Sequence, residues 1–127
     1  MVEQAEVYKC SLCGNTVVVI AVGGGELVCC GKAMDLLEKQ TEGDKSPKHL
    51  PIIEKTDDGY VVKVGEAEHP MEDEHYIQTI TLVVGNESFG KSLKPGDKPE
   101  FVVKTDAEDP VIATALCNLH GYWENQL

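Results

Sequence analysis

The sequence predicts an all-β protein in two parts, a small cysteine-clipped unit followed by an antiparallel β-sandwich. Short β-branched runs recur between turn signals, and no stretch keeps a helical period over ten or more residues. Four of the five cysteines fall within residues 1–37. In that first part, apolar stretches at residues 17–22 and 26–28 flank Gly23-Gly24-Gly25, which predicts a hairpin closed at its ends by the cysteine pairs. Residues 33–39 leave room for a turn or two of helix. Residues 38–47 are polar, lack apolar periodicity and end in proline, so they read as a linker. The second part, residues 48–127, carries strand candidates at 52–53, 60–64 after Asp57-Asp58-Gly59, 76–84 before Gly85-Asn86, 101–104 and 111–116.

Charge and length narrow the classes of function. Eleven basic against 22 acidic residues leave a net charge of -11, the wrong sign for a nucleic-acid backbone or an anionic membrane surface, so neither is an expected partner. The longest apolar run, residues 17–22, is far short of the roughly 20 that a membrane helix needs. The first residues show neither a basic region nor an apolar core of an export signal, so a cytoplasmic location is expected. An odd number of cysteines, five, then fits metal ligation or redox chemistry better than a disulfide framework.

Two ligand sets follow from where the cysteines and histidines lie. Cys10-Ser11-Leu12-Cys13-Gly14 and Cys29-Cys30-Gly31 bring four soft sulfurs to the ends of a hairpin, enough to close a tetrahedral site for iron or zinc. A unit of under 40 residues rarely folds on apolar burial alone, which makes a metal staple physically reasonable. Adjacent cysteines at 29 and 30 should strain that tetrahedron, while Tyr8 and Val28 are placed to shield the sulfurs. The remaining cysteine and all four histidines, His49, His69, His75, Cys117 and His120, lie in the second part, near loops and strand ends. Four imidazoles and one thiolate are one ligand too many for structural zinc. They suit a square-pyramidal iron with an open sixth position.

These residues resemble the desulfoferrodoxins, the two-iron superoxide reductases. Tyr8-Lys9-Cys10-x-x-Cys13-Gly14 and Leu27-Val28-Cys29-Cys30 are similar to the family's desulforedoxin-type site. Lys48-His49-x-Pro51-x-Ile53-Glu54, His69-Pro70-Met71-Glu72-x-x-His75-Tyr76-Ile77, Leu93-Lys94-Pro95-Gly96 and Cys117-Asn118-x-His120-Gly121 resemble its catalytic motifs. The resemblance covers essentially the whole chain. It implies a rubredoxin- or desulforedoxin-like N-terminal domain (residues 1–37), a linker (38–47) and an immunoglobulin-like catalytic sandwich (48–127). It further implies one iron on Cys10, Cys13, Cys29 and Cys30, and a second with His49, His69, His75 and His120 equatorial and Cys117 axial. The implied activity is one-electron reduction of superoxide to hydrogen peroxide, with rubredoxin or a similar carrier as donor and a homodimer as the assembly.

Lys48, beside His49, is the catalytic candidate on this reading, because a net charge of -11 repels the superoxide anion and a local cation must draw it in. At an assumed ~7 Å and an effective dielectric of about 20 to 80, one positive charge attracts the anion by roughly 0.6 to 2.4 kcal/mol. One position departs from the family pattern. Members commonly carry glutamate directly before the lysine, and its carboxylate can fill the sixth position of the oxidised iron; here Pro47 has no ligating side chain. That position is therefore expected to be open or to hold water or hydroxide. The competing reading is a non-catalytic electron-transfer or metal-stabilised protein that uses only the four-cysteine site and holds one metal per chain.

Overall fold

The alternation of β-branched and polar side chains resolves into strands. A computed structural model describes residues 2–3, 5–43, 49–65 and 70–127, and every named element among them is a strand, β1 to β13. The backbone separates into two units, Met1–Glu38 and Lys39–Leu127.

In the first unit β1 (Val7–Lys9) lies between β2 (Thr16–Val18) and β5 (Asp35–Leu37), antiparallel to both. A separate hairpin pairs β3 (Val28–Cys29) with β4 (Lys32–Ala33). The sequence predicts a hairpin of the two apolar stretches that flank the glycine run, but they do not pair with each other. Each closes on a cysteine-bearing turn instead. Between β3 and β4 stand only Cys30 and Gly31, with φ of 55° and 75°. Two central residues of positive φ make the tight turn whose twist matches a two-stranded ribbon. Residues 33–39 are extended rather than helical, since β4, β5 and β6 (Lys39–Gln40) occupy them. Pairing with β1 stabilises this stretch at once, whereas a helix of a turn or two cannot repay its own nucleation.

The second unit is an immunoglobulin-like sandwich. One sheet has the order β10-β9-β12-β13-β6 and the other β11-β8-β7. Their ranges are β7 (Pro51–Thr56), β8 (Gly59–Val64), β9 (Ile77–Val84), β10 (Glu87–Ser92), β11 (Glu100–Lys104), β12 (Val111–Cys117) and β13 (Gly121–Gln126). Both sheets contribute to one core: Ile53, Tyr60, Val62, Val64 and Val103 from one face, Ile80, Leu82, Val84, Ala113 and Ala115 from the other. Gly59 is where β11 passes closest, because a Cβ there would stand 1.9 Å from the Val103 carbonyl oxygen.

Strands β10 and β13 were not legible in the sequence. Five of the six residues of β10 are exposed and Phe89 is half-buried, so this edge strand has no buried alternation to read. In β13, Tyr122 and Trp123 are both buried in succession, which breaks the period of two. Lys39 and Gln40, inside the stretch read as linker, pair in parallel with Tyr122 and Trp123.

One irregularity sets up the chemistry. Along β12 the core-facing residues are Val111, Ala113, Ala115 and Cys117, in strict alternation. Along β9 they are Ile77, then Ile80, Leu82 and Val84. The phase changes because the β9–β12 register shifts between Leu116 and Cys117, which pair with Thr79 and Ile77 and leave Gln78 as the extra residue. Such a bulge re-aims side chains at the end of a ladder.

Leu82 is fully buried at the centre of this core, and Val102 is 59% exposed on β11. Leu82→Ala is expected to lower the unfolding free energy by about 2–5 kcal/mol, and Val102→Ala to change it by less than about 1 kcal/mol. Urea denaturation followed by tryptophan fluorescence measures both.

Candidate metal centres

The first unit offers a four-sulfur cluster. Cys10 and Cys13 lie on a loop closed by two backbone hydrogen bonds, Cys10 N to the Asn15 carbonyl (2.9 Å) and Gly14 N to the Cys10 carbonyl (3.0 Å). Cys29 and Cys30 come from the β3–β4 turn. The left-handed backbone of Cys30 (φ 55°) lets adjacent residues present both sulfurs to one point. The strain expected from adjacent ligands is thus taken up by the backbone, at a conformation that costs a non-glycine residue about 1–2 kcal/mol.

All four sulfurs lie within 4.8 Å of one another. The Cys13–Cys29 separation is 3.5 Å and the Cys29–Cys30 separation 3.9 Å. These are too long for disulfides, and all five cysteines are thiols. They match the edges of a tetrahedron about an ion bonded to sulfur at about 2.3 Å, which are about 3.8 Å long. Val28, expected to shield the sulfurs, is 58% exposed, and the Tyr8 hydroxyl is engaged by Glu6 (2.8 Å).

The thiols divide the charge unequally. Hydrogen bonds from the Cys13 and Leu12 amides stabilise the Cys10 thiolate and bring its pKa down to about 6. Hydrogen bonding with the Cys13 and Cys10 sulfurs, together with burial, pushes Cys29 up to about 12. Cys10 therefore ionises before Cys29.

The second cluster is assembled at one end of the sandwich. His49 precedes β7, His75 precedes β9, Cys117 ends β12, and His120 lies in the loop to β13. The nitrogen or sulfur atoms of these four residues lie within 4.8 Å of one another. His120 Nδ1 is 3.0 Å from His49 Nε2 and 3.2 Å from His75 Nε2, and Cys117 Sγ is 3.8 Å from His120 Nδ1. Two nitrogens at right angles on an ion bonded to each at about 2.1 Å would stand about 3.0 Å apart, so the donors fit a single central metal. His49 and Cys117 are 3% and 2% exposed, while His75 and His120 are half-buried. The cluster thus joins two buried donors to two half-buried ones. His69, Lys48 and Pro47 lie outside the described residues.

Each ligand is held by neighbours. His75 follows a tight turn in which the Glu72 and His75 amides and carbonyls exchange hydrogen bonds of 2.9 and 3.1 Å. Met71 ties this turn down from two sides. Its carbonyl accepts from the Gly96 amide (2.7 Å), and its sulfur accepts from the Ile77 amide (3.4 Å). Cys117 and His120 share a three-residue hairpin loop whose closing residue, Gly121, has φ of 88°, the left-handed position such loops require. A Cβ at Gly121 would also stand 2.8 Å from Gln40 Nε2.

That Gln40 amide donates to the His120 carbonyl (2.8 Å), and so does the indole N–H of Trp123 (3.1 Å). The same Trp123 ring stacks on His49, with centroids 5.4 Å apart at 20°. Asn125 Nδ2 donates to the Pro51 carbonyl (2.9 Å), which ties β13 to the strand that follows His49. Sequence patterning did not single out Gln40, Trp123 or Asn125. The available signal was the lone tryptophan of the chain, three residues after a histidine.

Comparison with known proteins follows the same division. The family profile described as "Desulfoferrodoxin, N-terminal domain" matches residues 2–37, and that described as "Desulfoferrodoxin" matches residues 41–126. The chain is 50% identical to a desulfoferrodoxin of Syntrophotalea carbinolica over 99% of both chains. It is likewise 50% identical to one of Nitratidesulfovibrio vulgaris over 98% of both. The crystal structure of the superoxide reductase from Treponema pallidum superposes with a TM-score of 0.77 at 28% identity, covering 98% of this chain and 99% of that one.

Metal uptake by the four-cysteine cluster must displace the thiol protons. Cys10, with its pKa lowered to about 6, is largely ionised at pH 7 and largely protonated at pH 5. Zinc binding at the four-cysteine cluster of the metal-free protein is therefore expected to release about one more proton per metal at pH 5 than at pH 7, and to weaken as pH falls through 6. Titration calorimetry in buffers of different ionisation enthalpy reads the difference; equal release at both values would contradict it.

Proposed function

The chain belongs to the desulfoferrodoxin family, and from that premise we propose that its histidine–cysteine centre reduces superoxide to hydrogen peroxide. The observation that carries this reading is the convergence of His49, His75, Cys117 and His120 on one point at the rim of the sandwich, two of them buried and two half-exposed. His69 is the proposed fifth ligand, and Cys10, Cys13, Cys29 and Cys30 hold a second iron. A non-catalytic protein using only the four-cysteine site would have no use for three imidazoles and a thiol aimed at a common centre.

Held by the imidazoles and the thiolate, iron would supply the one electron each superoxide consumes, and an external one-electron carrier would replace it. The protein's side chains do the rest. The buried side, closed by His49 stacked on Trp123, keeps water from one face. The half-exposed side of His75 and His120 admits a small anion. Cys117 would be the single anionic donor of the set, so a ferrous ion held there would keep a net positive charge against a chain of net charge -11. Lys48 adds a second positive charge next to His49 and is the proposed catalytic residue: it draws the anion in and orders a water that delivers a proton. Each superoxide consumes one electron and two protons and leaves as one hydrogen peroxide, with no dioxygen formed. A rubredoxin-like one-electron carrier is the proposed donor. Five reduced cysteines suit the cytoplasm, the proposed compartment. Among the described residues no helix is long and apolar enough to cross a membrane.

The first unit also supports a homodimer. Leu12, Val17, Val18, Ile20, Val22 and Val28 are 41–81% exposed in a unit of 38 residues, more apolar surface than so small a unit leaves in water when it stands alone. Sedimentation equilibrium is expected to give twice the chain mass of 13.8 kDa, and a monomer at micromolar concentration would exclude this assembly.

The activity is tested by exposing the reduced protein to a pulse of superoxide in a stopped-flow cell. One peroxide per superoxide is expected, with continued formation when a reduced rubredoxin-like carrier is present; half a peroxide would mark dismutation instead. Lys48→Ile is expected to lower the second-order rate up to about fifty-fold and to flatten its salt dependence. An unchanged rate would remove Lys48 from the reaction.

A further inference from the structure

The two peptide groups that flank His75 are held by a side chain with no ligand role. Asn118 Oδ1 accepts a hydrogen bond from the Tyr76 amide (3.0 Å), and its Nδ2 donates to the Glu74 carbonyl (3.0 Å). The Asn118 backbone amide donates in turn to the Tyr76 carbonyl (3.2 Å). One carboxamide thus clasps the chain immediately before and immediately after His75. It does so from a loop whose ends are Cys117 and His120. Leu119, the other residue of that span, is 61% exposed.

We propose that Asn118 is a positioning residue of the histidine–cysteine centre, one that fixes His75 relative to Cys117 and His120 before any metal arrives. This rests on the reading of those residues as ligands. The ladder alone does not settle their relation. The β9–β12 register shifts at Leu116/Cys117, and His75 lies two residues before β9 begins, so regular pairing ends where the ligands begin. The Asn118 carboxamide extends the connection past that break, with a side chain taking the part of a missing ladder rung.

Only a carboxamide can do both halves of this. An aspartate would still accept from the Tyr76 amide, but its carboxylate would face the Glu74 carbonyl with no proton to offer. An alanine would make neither contact. Partners of this kind, one step removed from the metal, typically change affinity by about 10–100-fold when lost.

The experiment is a titration of the metal-free full-length chain with cobalt(II) alone, read by the thiolate-to-cobalt and ligand-field bands of each centre. The wild-type chain, Asn118→Ala and Asn118→Asp are compared. Wild type is expected to bind two cobalt ions per chain. Asn118→Ala should bind at the histidine–cysteine centre about 10–100-fold more weakly, with its bands shifted. Asn118→Asp should fall between the two, and the four-cysteine centre should be unchanged in all three. Thermal melting of the metal-free variants separates positioning from stability, because a positioning role leaves the metal-free melt near that of wild type.

Wild-type affinity and bands in Asn118→Ala overturn the proposal. Where the alanine variant does not fold, Asn118→Asp decides the matter: wild-type cobalt affinity and bands in a folded Asn118→Asp overturn the proposal, and weaker binding with shifted bands and an unchanged metal-free melt supports it. A wild-type chain that takes only one cobalt, at the four-cysteine centre, overturns the ligand reading itself and the proposal with it.

Discussion

The register of β12 against its two neighbours governs the second unit. Cys117 is the last core-facing residue of an alternating strand, so its sulfur is buried by the same phase that buries Val111, Ala113 and Ala115. A one-residue slip would turn all four outward. The bulge opposite it on β9 and the three-residue loop to β13 then set where His75 and His120 begin. The metal centre is in this sense the end of the hydrophobic core, where alternation continues but the side chains become ligands.

The two units solve the problem of holding a metal in different ways. The first has little buried surface and shapes its cluster through backbone turns: a loop closed at Cys10 and Asn15, and a two-residue turn that puts Cys30 in a conformation usually left to glycine or asparagine. A bound ion supplies much of what holds such a unit together. The second has a core fed by both sheets, and its ligands are placed by side chains that are themselves fixed. Trp123 stacks on one histidine and bonds the carbonyl of another, while Gln40 reaches that same carbonyl from a two-residue parallel strand. A centre built this way can keep one side open, because its geometry does not depend on the ion to close it.

Charge distribution separates recognition from folding. The chain carries 22 acidic residues, which favours solubility and opposes the approach of an anion. A divalent ion held there by imidazoles and a single thiolate would retain net positive charge at the point of contact. The surface then has no need to be basic for the reaction to proceed; the attraction is local and short in range.

Residue types and spacing predicted two ligand sets, and the structure gathers Cys10, Cys13, Cys29 and Cys30 into one group and His49, His75, Cys117 and His120 into another, His69 lying outside the described residues. Cysteine pairs followed by glycine and a set of four histidines with one cysteine have few chemical uses, and the β-branched runs mark the strands that bury one face. Other features were hidden for physical reasons. Strand β10 is polar because it lies at an edge, and β13 buries two neighbouring aromatics; neither leaves a period to read. The β3–β4 hairpin of the first unit turns on two left-handed residues, 30 and 31, which composition alone does not reveal as a turn. Residue types alone determined which atoms can bind a metal. Only the tertiary structure decided that His49, His75, Cys117 and His120 share one point, and that Asn118, Gln40 and Trp123 hold them there, because those contacts join residues up to 80 positions apart and exist only once the sheets have closed.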